Sequence, residues 1–189
     1  MGLGPRPPLP QPFTAPAGFW QPPSHLVSSS PAALTSGALF FMPFDVGPMP
    51  DAFSALGVGV TTAQVSGTTT TTLAVYPDDG TGGQPRTVGG PIVSGTVTLT
   101  ATGNRSAAVA WNPDAGRYWL AFLYVATAAP TTAPLVQAIT NGTSLWQTTI
   151  GGNPTRGLSV AAQTAMPTGA VTLTPVIAGT TPIVAALAA

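Results

Sequence analysis

The sequence predicts an all-β protein, an antiparallel sandwich or barrel that follows an extended, proline-rich segment. Three observations carry this reading. Short stretches alternate apolar and polar residues with period two, as half-buried strands do. Clusters of Gly, Pro, Asn and Asp punctuate those stretches at turn spacing. The strong charged helix formers are missing: 189 residues contain no lysine and no glutamate, but 22 glycines and 22 prolines.

Residues 1–34 differ in composition from the rest. Prolines at 5, 7, 8, 10, 12, 16, 22, 23 and 31 remove backbone donors and fix φ, which favours polyproline-II-like extension and disfavours helix or central strand. Thirty residues extended in this way reach on the order of 90 Å. Phe13, Phe19, Trp20 and Leu26 are costly to leave in water, so the segment reads as an anchoring arm that lies on a partner and not as a simple spacer. Buried aromatics dominate interface energies, which makes Phe13, Phe19 and Trp20 the chief expected anchors.

The expected sandwich occupies residues 35–189. "GALFFMPF" is an apolar run that Pro43 is expected to halt, and "ALGVGVTTAQV" sets Val58 and Val60 on one face. "TTTTLAVY" opposes Leu73 and Val75 to Ala74 and Tyr76. "GTVTLTA" alternates most cleanly, with Val97, Leu99 and Ala101 between threonines. "SAAVAW" and "AVTLTPV" repeat the pattern through Val109 and Trp111, then Val171 and Leu173. "PDDGTGG", "TGNRS", "NPDAG" and "NGT" read as the turns between them.

Residues 117–125, "RYWLAFLYV", are apolar on both faces: Tyr118, Leu120, Phe122 and Tyr124 on one, Trp119, Ala121, Leu123 and Val125 on the other. Such a strand is buried twice over. One face belongs to the sandwich core, and the other meets a neighbouring subunit, the arm or a later loop. Val97, Leu99, Val109, Trp119 and Leu123 are expected to face the interior. Tyr118, Leu120, Phe122, Tyr124 and Trp146 are then candidates for contact with another copy or, through aromatic stacking, with a glycan.

The residue inventory offers little chemistry. The one histidine, His25, sits in the proline-rich segment, a poor place for an oriented base. The five acids are all aspartates (Asp45, Asp51, Asp78, Asp79, Asp114), each near Gly or Pro and so expected in turns. "DDGTGG" lacks the spaced ligands and closing glutamate of an EF-hand, and no lysine or helix follows the Gly-rich stretches as a phosphate loop requires. No catalytic residue, cofactor or metal is therefore expected. Net charge is zero with only 5% charged residues, which disfavours nucleic acid as a partner and a freely soluble monomer alike. There is no cysteine and no apolar run of about 18 residues, so neither a disulfide framework nor membrane insertion is expected.

"LAVYPDDGTGGQP", a Thr-rich strand and "NPDAGRYWLAFLYV", with "PFDVGPMPDAFSALGVGVTTA" before them and "TTPIVAALAA" at the end, resemble the small jelly-roll-like domains of bacteriophage virion proteins. The resemblance covers about residues 36–189 and leaves the arm out. It implies a jelly-roll-like β-sandwich and a place on the phage particle, as a minor tail or tail-fibre protein or, alternatively, a head fibre or capsid decoration; a carbohydrate-binding module with exposed Trp or Tyr as its stacking platform is the competing expectation. It further implies a homo-oligomer, a trimer in number, that contacts host surface glycans or other virion proteins. It supplies no catalytic residue.

Overall fold

The structure is a computed structural model that describes residues 20–21, 29–47, 52–80, 83–139, 148–150, 153–155, 157–176 and 181–188. Among these residues there is no helix. The strands are, in chain order, β1 (Trp20–Gln21), β2 (Ser29–Ala33), β3 (Leu39–Val46), β4 (Phe53–Thr62), β5 (Thr68–Pro77), β6 (Val93–Val97), β7 (Gly103–Trp111), β8 (Gly116–Ala128), β9 (Leu135–Ile139), β10 (Thr148–Ile150), β11 (Asn153–Thr155), β12 (Leu158–Val160), β13 (Thr174–Pro175), β14 (Thr181–Pro182) and β15 (Ala185–Ala188).

Strands β2 to β9 build two antiparallel sheets, with order β2-β9-β4-β7 in one and β3-β8-β5-β6 in the other. Successive strands cross between the sheets except at the β5–β6 hairpin, which is the eight-stranded double Greek key of a jelly roll. The chain is thus an all-β jelly-roll sandwich. The C-terminal residues extend both sheets. β12 and β13 add to the outside of β3, while β14 pairs with β9 and β15 with β4. β10 and β11 form a separate hairpin.

The core between the sheets takes Leu56, Val58, Val60 and Trp111 from one side and Met42, Phe44, Leu73, Val75, Leu120, Phe122 and Tyr124 from the other. Phe53, Phe44 and Trp111 meet at its end, with the Phe53 ring stacked on Trp111 at 5.0 Å. A second cluster lies on the outer face of the β3-β8-β5-β6 sheet: Leu39, Phe41, Ala74, Tyr76, Trp119, Ala121 and Leu123, with Leu158 and Val160 of β12. Met166, Val171 and Leu173 close over it.

Several expectations change. β3 does not stop at Pro43 but runs on to Val46, pairing with β8 throughout. β12 covers β3 only at Leu39, Phe40 and Phe41, so the proline falls where that flank carries no described strand to miss its N–H. β6 ends at Val97, although the alternation of burial continues to Leu99. There the chain leaves β5, and the Leu99 carbonyl accepts the Gln64 N–H instead. "TGNRS" is not a turn: β7 begins at Gly103 and contains Arg105 and Ser106. Residues 171–173 form no strand, and Val171 and Leu173 alternate because they rest on the outer cluster. Finally, the proline-rich region carries strands. Trp20–Gln21 pairs with Leu187 and Ala186, and Ser29–Ala33 is the first strand of the jelly roll. β2 pairs on one side only among the described strands, which is where Pro31 is tolerated.

Candidate functional site

β8 is where the sequence concentrates its aromatics, and the structure assigns both of its faces. Leu120, Phe122 and Tyr124 are buried between the sheets, and Tyr118 is half-buried against the same core. A copy or a glycan reaches Leu120, Phe122 or Tyr124 only by opening the sandwich, so these three do not form a contact surface. Trp119 and Leu123 do not face the sandwich interior either. They point to the outer face of the sheet, where the chain's own residues 158–173 cover them. Val97 and Leu99 do face the interior, and Val109 packs against it half-buried.

Trp111 keeps only 3% of its surface exposed, and Tyr118 meets it edge-on at 5.1 Å. These rings are spent on packing, with no open stacking platform at either. Trp146, the other ring of that set, lies outside the described residues, as do Phe13, Phe19, Leu26 and His25. Of Trp20 the structure describes only the backbone, paired with Leu187.

Polar side chains on the outer face tie the covering segment down. The Tyr76 hydroxyl donates to the Pro167 carbonyl at 2.9 Å, and its ring meets Phe41 edge-on at 5.3 Å. Burial pushes the Tyr76 phenol above its ordinary value, and burial does the same to Tyr124. The backbone adds Gly89 N–H to Thr168 O and Gln163 N–H to Gly37 O. Close packing is required beneath β12: a β-carbon on Gly157 (φ +155°) would meet the Phe41 carbonyl oxygen.

The described aspartates gather where β3 and β5 end and β8 begins. Asp45 is not in a turn but on β3, where Arg117 of β8 grips both carboxylate oxygens, at 2.8 and 3.1 Å. That hydrogen bond holds the guanidinium more firmly protonated than usual. Asp78 Oδ1 accepts the Trp119 indole N–H at 2.9 Å, and its Oδ2 accepts the Gly80 N–H at 3.0 Å. The β5–β6 connection closes as a hairpin through Asp79 N–H to Gln84 O and Arg86 N–H to Pro77 O. These bonds give Asp45 and Asp78 structural employment. Among the described residues no three His, Cys, Asp or Glu side chains gather to hold a metal, and no helix is long and apolar enough to cross a membrane.

The doubly buried strand was legible in the sequence, and a later loop was one of three covers expected for its second face, but which residues form that cover was not. Leu158, Val160, Met166, Val171 and Leu173 are too sparse and aperiodic to announce a lid over Trp119. The Trp119–Asp78 bond was equally illegible, since it depends on β5 lying next to β8. No family model, curated protein or solved structure matches this chain.

Proposed function

We propose that this chain is a non-enzymatic structural component of a bacteriophage particle, of the minor tail or tail-fibre type. It docks through its N-terminal residues and turns the jelly roll outward as an oligomer. The observation that carries the reading is the fate of β8. The chain's richest aromatic stretch is buried on both faces within its own fold, which is the behaviour of a scaffold and not of a binding groove. The jelly-roll strand order agrees with the resemblance of the sequence to virion domains. The 5% charged residues suit a surface largely covered by neighbours in an assembly. Phe13, Phe19, Trp20 and Leu26 remain the proposed anchors. A glycan-binding role is less well supported, because Trp111 and Tyr124 are buried.

Mass spectrometry of purified particles from the source culture tests the proposal. The chain is expected as an integral component that co-sediments through a density gradient and resists a salt wash. Its presence only among soluble proteins of the lysate would overturn the reading.

A further inference from the structure

β7 forms one margin of its sheet. It pairs with β4 along one side and with no other described strand. An open edge presents a row of unpaired N–H and C=O groups, and proteins ordinarily blunt such edges with proline, lysine or short strands. β7, "GNRSAAVAW", is nine residues long and carries neither proline nor lysine, and the one irregularity in its pairing with β4 lies near its end, between Ala108 and Trp111. Its single charge, Arg105, is turned back onto its own turn, where the guanidinium donates to the carbonyls of Ala101 and Thr102. The outward row, Asn104, Ser106, Ala108 and Ala110, is small and exposed. The margin is also backed firmly, because a β-carbon on Gly95 of β6 would lie 2.6 Å from that of Ala107.

We infer that the β7 edge pairs antiparallel with β7 of a second copy of this chain, about a two-fold axis near Ala107. Charge selects this partner and this direction. With Ala107 opposite Ala107, Ala101 and Thr102, where the Arg105 guanidinium sits, stand level with residues 112 to 114 of the other copy, the turn that carries the exposed Asp114. Each end of the joint therefore sets a guanidinium beside a carboxylate. Parallel pairing would set arginine beside arginine. Pairing on either side of the irregularity between Ala108 and Trp111 supplies about six to eight backbone hydrogen bonds and an isologous interface that closes on itself. A two-fold joint goes beyond the proposed function and differs from the three-fold assembly that the resemblance implies.

Sedimentation equilibrium of the full chain at micromolar concentration tests the inference. The expected mass is about twice the 18.8 kDa of one chain. Arg105→Glu and Asp114→Arg should each weaken the dimer about tenfold, and the double exchange should restore it. Circular dichroism of each variant confirms the fold, and Asp114 lies in an exposed turn where substitution is tolerated. A mass of one or three chains would overturn the joint, as would a dimer that neither single exchange weakens or that the double exchange fails to restore. None of these outcomes bears on whether the chain is found on particles, which is read separately.

Discussion

Tyr76 shows how one buried hydroxyl links the sheet to its cover. Its phenol ionises only above the ordinary value of 10.0, because burial penalises the charged form. A proton is therefore held more tightly in the folded chain than in the unfolded one. The resulting stability is complete below pH 10 and is lost as pH climbs through the raised value. Thermal melts of the wild-type chain should fall steeply from about pH 10 upward. Tyr76→Phe should lose about 1–2 kcal/mol at neutral pH, through the abandoned Pro167 carbonyl, and fall less steeply in alkali. Tyr124 contributes in the same direction, so the single variant should blunt the alkaline loss without abolishing it. Gly157 poses a steric test. Gly157→Ala drives a methyl into the Phe41 carbonyl and should cost roughly 1–3 kcal/mol in a denaturant melt, with β12 lifting from β3. Gly157 gave no sign of this in the sequence, because the need arises only when β12 lies against β3.

Among the elements, β8 and β2 mark the limits of what the sequence discloses. The two apolar rows of β8 are local facts, so its double burial was legible from residues 117–125 alone. Which row faces inward was not, because that depends on the other sheet lying over Leu120 and Phe122, and on residues 158–173 lying over Trp119 and Leu123. β2 is harder still: "SSPAA" has no apolar alternation and contains a proline, and it becomes a strand only because β9 offers it an edge. β2 lies on the N-terminal side of the boundary expected at residue 35. A truncation removing residues 1–34 deletes a strand of the jelly roll and uncovers β9, so it should unfold at a lower temperature or fail to fold. A truncation removing residues 1–19 leaves β1 and β2 in place and should melt as the full chain does. Equal melting of both truncations would show that β2 contributes little.

For the molecule as a whole, the buried aromatic side chains among the described residues and the aspartates with resolved partners hold the sandwich together. Trp111, Trp119, Phe122 and Tyr76 are core, while Asp45 and Asp78 are held by Arg117 and Trp119. The features that support the proposed role in an assembly are a charge-poor surface, a β7 edge with no described strand on its outer side and an N-terminal segment rich in proline and aromatics. The jelly-roll class was accessible from the period-two stretches and the resemblance together, whereas the partner surfaces were not, since a free edge is a property of the finished sheet. The proposed docking of this jelly roll on a particle through its N-terminal residues is tested by complementation with the chain lacking residues 1–19. That chain should fold, keep its β-sheet dichroism and be absent from purified particles, and the full-length chain carrying Phe13→Ala with Phe19→Ala should be strongly depleted from them. Incorporation of the truncated chain at the level of the full chain would contradict the account and move the docking surface onto the sandwich itself.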